Sequence, residues 1–144
     1  MNNVLKDCGF ASLTEGASIT TTSAFGVPRG SIAHAYNIRD IEISGNRIVD
    51  PPGVAIKLVN ADGVLIRNNT IINPLGGLNQ QETLDFSRGI PSNELTEVMR
   101  YPYYGIVTIS TRNVRGSGNR AENTPPAWRG MVGVGPWSEN IAVE

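Results

Sequence analysis

The chain has 144 residues, a net charge of -1 and only 17% charged side chains, alongside 16 glycines. That length suits one domain, and the balanced charge excludes the basic patch that nucleic-acid binding requires. A single cysteine, Cys8, rules out an internal disulfide framework, and no apolar run approaches the ~20 residues that cross a bilayer as a helix.

Taken in chain order, residues 1–7 lack the charged-then-apolar layout of a secretion signal. Asn2-Asn3-Val4-Leu5-Lys6-Asp7 reads instead like Asn68-Asn69-Thr70-Ile71-Ile72-Asn73 further on. Residues 9–29 are irregular and read as one turn of a repeat distorted by a loop around Gly26-Val27-Pro28-Arg29-Gly30. From Gly30 the pattern becomes regular: 30–51 recurs as 53–74, an offset of 23 residues (30 to 53, 51 to 74). A fixed period of that size predicts a stacked coil, in which each repeat buries its apolar side against its neighbours.

Each repeat holds three short strand-like pieces separated by turn residues. In the first, Val54, Ile56 and Leu58 are expected inward, with Ala55, Lys57 and Val59 outward. The second reads Ile41-x-Ile43 and then Val64-x-Ile66, with Glu42 and Leu65 on the opposite face, and the third centres on Ile48 and Ile71. The 23-residue offset pairs His34 with Lys57 and Tyr36 with Val59 on the outer side of the first piece. Gly45-Asn46, Asn68-Asn69, Asp50-Pro51-Pro52-Gly53 and Asn73-Pro74 are the turns.

Residues 75–104 interrupt the repeat, with a short helical turn expected at 93–99; long excursions of this kind often carry function. Residues 113–123 then realign with 63–73 at an offset of 50, and 140–143 with 63–66 at an offset of 77. Gly130-Met131-Val132-Gly133-Val134-Gly135 lacks the Lys-Ser/Thr of a phosphate loop and reads as a strand whose glycines admit a ring or a second backbone. The final 138–144 reads as the start of another repeat, so the chain is expected to be an internal piece of a longer, secreted protein.

Asn46, Asn69 and Asn119 fall at one place in three repeats. Asparagine tolerates the left-handed backbone of a sharp bend, and stacked strands would bring successive amides about 4.8 Å apart, close enough to bond along the stack. A second column, Asp50, Asn73 and Asn123, follows four residues later.

The run Gly-Val-x-Ile-x-Leu-x-Asn, then Gly-Val-x-Ile-x-Asn-Asn-x-Ile-x-Asn-Pro over 53–74 resembles the right-handed parallel β-helix of the pectate-lyase-like superfamily. The resemblance covers 30–74 well, 105–144 fairly and 1–29 poorly. It implies an all-β solenoid of about five coils, incomplete at both ends, as a single domain over 1–144. That superfamily includes glycoside hydrolases, polysaccharide lyases, uronate epimerases and esterases, with tailspikes and adhesins beside them. The expected function is therefore a carbohydrate-active protein acting on a polysaccharide, with a non-catalytic glycan-binding or structural helix as the alternative.

Candidate contacts follow from the outer face of the first piece, where His34, Tyr36 and Lys57 would meet a sugar or uronate. For catalysis, Asp85 and Glu82 in the 75–104 insertion supply carboxylates that would overhang such a cleft, and Lys57 or His34 would serve as the base of a lyase. Asp62 is expected near Arg39 and Arg112, as a turn residue. Tyr101, Tyr103, Tyr104, Trp128 and Trp137 cluster late and read chiefly as packing residues. No zinc or calcium ligand pattern is present, and no cofactor is expected. The expected partner is a glycan, with self-association through exposed coil ends.

Overall fold

The computed structural model describes residues 3–6, 17–21, 36, 38–51, 53–74 and 103–144. Its strands are β1 (Val4–Lys6), β2 (Ile19–Thr21), β3 (Ile38–Ser44), β4 (Arg47–Val49), β5 (Ile56–Val59) and β6 (Ala61–Arg67). They continue as β7 (Thr70–Ile72), β8 (Tyr104–Ile109), β9 (Arg112–Ser117), β10 (Arg120–Glu122), β11 (Gly130–Val134) and β12 (Glu139–Val143). Among the described residues there is no helix. The strands form three four-stranded sheets, β1-β4-β7-β10, β2-β5-β8-β11 and β3-β6-β9-β12. Every pairing is parallel and joins a strand to the one three elements away in sequence. The chain thus visits the three sheets in strict rotation, an arrangement consistent with a parallel β-helix.

The register stacks like on like. Ile41, Val64, Val114 and Ile141 align in the third sheet, with Ile43 above Ile66 beside them. Leu5, Ile48 and Ile71 align in the first sheet, and Ile19, Ile56, Ile106 and Val132 in the second. These side chains meet in one interior cluster, in which Ile48, Ile56, Ile66 and Ile106 are fully buried. Each such residue contributes about 1.5–3 kcal/mol through burial. The alternation of Ile41/Ile43 and Val64/Ile66 against outward Glu42 and Leu65 is as the sequence predicts.

The amide column is present and longer than three members. Asn3 Nδ2 donates to Asn46 Oδ1 (3.1 Å), Asn46 Nδ2 to Asn69 Oδ1 (2.9 Å), and Asn69 Nδ2 to Asn119 Oδ1 (3.0 Å). Each acceptor oxygen also takes the backbone N–H of the preceding asparagine. The bend itself is made elsewhere than expected. The left-handed residues are Gly45, Asn68 and Gly118, each one position before the ladder asparagine, whose own backbone stays extended enough to feed the next strand. The second column does carry the bend: Asp50, Asn73 and Asn123 are all left-handed, and Asn73 Nδ2 donates to Asp50 Oδ1 at 2.8 Å.

Two further expectations need correcting. The strand paired with β5 on this side is Ile19–Thr21, at an offset of 37 rather than the expected 23: Ile19, Thr20 and Thr21 pair with Ile56, Lys57 and Leu58, while the 23-residue offset is seen from Ile38 onward and residues 30–35 and 37 lie outside the described residues. The β-branched Ile19-Thr20-Thr21 suits a strand. Second, Ala55 faces the interior while Val54 lies outside it, the reverse of simple alternation, because the strand begins only at Ile56 and the preceding corner breaks the period. Val54 joins Val107 and Ile109 in a smaller cluster on the outer side of the second sheet, with Ala17, Val59 and Tyr104 against it.

The late glycines make room for neighbours, as the sequence suggests. A Cβ on Gly133 would lie 2.7 Å from the Tyr104 ring. One on Gly105 would lie 2.7 Å from both Trp128 and Ile71, so Trp128 packs at the edge of the interior.

Candidate functional site

The third sheet has an unusual opening column. Arg39, Asp62, Arg112 and Glu139 stand in register on its four strands, alternating in sign. The next residue on each strand, Asp40, Gly63, Asn113 or Asn140, is left-handed. That kink lets the residues before it form a corner while those after it resume the sheet. Adjacent strands lie about 4.8 Å apart, so each charge faces its opposite at short range.

The middle pair is directly hydrogen-bonded. Arg112 donates to Asp62 Oδ2 at 2.9 Å, and Asn113 Nδ2 donates to Asp62 Oδ1 at 2.8 Å. The Asp62 side chain is 16% exposed and lies within β6 rather than in a turn. Its carboxyl is held below its ordinary value, first by the Arg112 hydrogen bond and then by that from Asn113. The same bond pushes the Arg112 guanidinium further up, and Glu139 adds a smaller attraction.

Arg112 also lies over the Tyr36 ring, 4.2 Å from its centre, a cation–π contact. Arg39 Nε donates to the Tyr36 carbonyl at 3.1 Å. Tyr36 is itself left-handed (φ 42°), two residues before β3, as is Trp137 (φ 58°), two residues before β12 at the opposite end of the third sheet. Left-handed backbone costs an L-residue other than glycine about 1–2 kcal/mol and recurs at functional positions. Between them lies an open depression of about 300 Å³ lined, among the described residues, by Tyr36, Trp137, Ser138 and Glu139. Trp137 is 40% exposed. Ser138 Oγ and Arg112 Nε are buried and have no hydrogen-bond partner among the described residues.

Of the residues expected from sequence, Tyr36 stands in this site. Lys57 does not: it lies in β5 of the second sheet, in register with Thr20 and Val107, and is 5% exposed. Nor is Tyr36 paired with Val59, whose N–H donates to Thr21 Oγ1 at 3.0 Å. His34, Glu82, Asp85, the 75–102 part of the insertion and the helical turn at 93–99 lie outside the described residues. The expected neighbours Asp62, Arg39 and Arg112 do come together.

The sequence reading passes over Ser138 and Glu139 as site residues and takes Trp137 chiefly as packing, although a signal for all three exists. Offsets of 50 and 77 carry Asn60 to Ser110 and to Trp137, and all three are left-handed corner residues. The same offsets carry Asp62 to Arg112 and Glu139. A tryptophan at a place otherwise held by small polar residues is the anomaly that marks the site. Among the described residues no group of three or more His, Cys, Asp and Glu gathers to hold a metal, and no helix is long and apolar enough to cross a membrane. No protein-family model matches the chain, and no curated protein or solved structure matches it.

Proposed function

We propose that this chain is part of a right-handed parallel β-helix of the pectate-lyase-like kind and that it engages a polysaccharide at the Tyr36–Trp137 pocket. The supporting observation is the pair of left-handed aromatic residues flanking a 300 Å³ cavity that also carries a hydroxyl and a carboxylate. That volume is at the lower end for ligand pockets, ~300–1,000 Å³, and suits a short stretch of glycan rather than a large cofactor. An exposed indole offers an apolar plane for the C–H face of a sugar ring, while Glu139 offers a hydrogen-bond acceptor to its hydroxyls.

Binding is the part of the reading that the geometry supports best. A glycoside hydrolase or lyase/epimerase on the same helix would draw on His34, Lys57 and Asp85. Lys57 does not line the pocket, and the other two lie outside the described residues. Asp62 is held ionised with both oxygens occupied, which unfits it as a general acid. Titrating a panel of soluble oligosaccharides against the folded protein, by calorimetry and by tryptophan fluorescence, tests the proposal. Binding that weakens tenfold or more in Trp137→Ala is expected; a folded protein that binds none of the panel would overturn it.

A further inference from the structure

The lining of the pocket also bears on which sugars it accepts. We propose that it selects uncharged sugar units over uronates, with Glu139 as the discriminating residue; this rests on the glycan-binding reading above. Among the described lining residues, Glu139 is the one that carries a charge, beside two rings and a hydroxyl. The nearby cations lie outside the described lining. Arg112 donates to Asp62 and lies against the Tyr36 ring, and Arg39 is bonded to the Tyr36 carbonyl. Neither lines the cavity.

The chemistry follows from that disposition. A carboxylate accepts hydrogen bonds and cannot donate them, so Glu139 suits a neutral sugar, whose hydroxyls are donors; bonds to an ionised acceptor are the stronger kind. A uronate brings a second carboxylate into the same cavity. In a water-filled site, where the dielectric stays close to that of bulk water, two like charges about 5–7 Å apart change an equilibrium about three- to fourfold, and more where water is partly excluded. Arg112, the neighbour of Glu139 in register, lies against the Tyr36 ring and does not line the cavity among the described residues.

The experiment compares matched ligands differing at C6: gluco- against glucurono-oligosaccharides, and galacto- against galacturono-oligosaccharides, at low and high salt. Wild type, Glu139→Gln and Trp137→Ala are titrated with each, after a thermal melt shows that the variants fold. The expected result is a three- to tenfold preference for the neutral member of each pair. That preference should shrink with added salt and largely disappear in Glu139→Gln. Uronates that bind as well as their neutral counterparts, or a preference unchanged by Glu139→Gln, would overturn the inference while leaving the site in place. Binding unaffected by Trp137→Ala, or no binding at all, would instead overturn the site and the inference with it.

Discussion

Two columns of stacked polar residues run through this molecule, and they behave in opposite ways. The ladder Asn3, Asn46, Asn69 and Asn119 repeats one residue type, bonded head to tail, and is buried at its centre. The column Arg39, Asp62, Arg112 and Glu139 changes type at every strand, faces outward and ends beside a cavity. Both obey the same spacing, so the difference lies in what each strand asks of its residue. Where every turn has the same need, the residue repeats and serves the fold. Where the residue departs from its counterparts, as Trp137 departs from Asn60 and Ser110, the fold does not require it and a function is the better explanation.

The sharpest test of that contrast is depth along the ladder. Asn69 is 1% exposed and makes four bonds: its Nδ2 donates to Asn119 Oδ1 and to the Ile43 carbonyl, and its Oδ1 accepts from the N–H and Nδ2 of Asn46. Asn69→Ala leaves the Asn46 N–H, the Asn46 amide and the Ile43 carbonyl without this partner, while Asn119 Oδ1 keeps the backbone N–H of residue 69, and is expected to cost about 3 kcal/mol. Asn3→Ala removes the exposed end of the same column and should cost about 1 kcal/mol or less. Urea unfolding of the two variants reads both numbers. Equal losses would mean that burial does not set the worth of a rung, and the comparison between the columns would fail.

The ladder was legible because it repeats. Ile43 over Ile66 and Asn46 over Asn69 follow from one offset, and so do Val114 and Ile141 once the offset grows to span an insertion. The second sheet was less legible at its start. Ile19–Thr21 lies 37 residues before its partners Ile56–Leu58, so the constant period pointed to the wrong segment and carried His34 and Tyr36 with it. The corner pocket was hidden for a different reason. It is built from residues that break the pattern, and a search for repetition discards those. Only asking which residue type does not belong at Asn60, Ser110 and Trp137 exposes it.

Trp137 itself separates stability from function. Trp137→Asn replaces a left-handed tryptophan by a residue that tolerates that conformation, at a place where another turn already has Asn60. Glycan affinity should fall tenfold or more, as expected for loss of a central aromatic anchor. Stability should hold or rise by about 1 kcal/mol as the strain is relieved. Differential scanning calorimetry beside the binding titration measures both. A large drop in stability would reassign Trp137 to packing and return the corner to the structural side of the comparison.

The charged column makes a smaller, pH-dependent contribution. The folded Asp62 carboxyl titrates below its ordinary 3.8, because the ionised form is bonded to Arg112 and Asn113. Its contribution is therefore complete above 3.8 and is lost as the pH falls through the depressed folded value, where the native carboxylate finally takes up its proton. Asp62→Asn should remove that share of the acid limb and leave a flatter stability profile below pH 3.8. An acid limb identical to wild type would show that the column is not coupled to folding.

The smallest effect is expected at the other ion pair of the third sheet, where the chemistry is the same and the setting is not. Arg67 donates to Glu42 at 2.7 Å, and Glu42 is held below its ordinary 4.5, chiefly by that bond. Yet the two side chains are 50% and 46% exposed, against 35% and 16% for Arg112 and Asp62. Water and salt compete for the exposed pair, and ordering two long side chains offsets much of their attraction. Arg67→Ala should therefore leave the urea midpoint at neutral pH unchanged within error. Arg112→Ala, an identical change in charge, should lower it, because Asp62 loses its partner and the Tyr36 ring loses its cation. Running the two variants side by side holds sheet and charge change constant and varies burial and neighbouring contacts. If Arg67→Ala proved the more damaging, the corner column would owe nothing to its place beside the pocket.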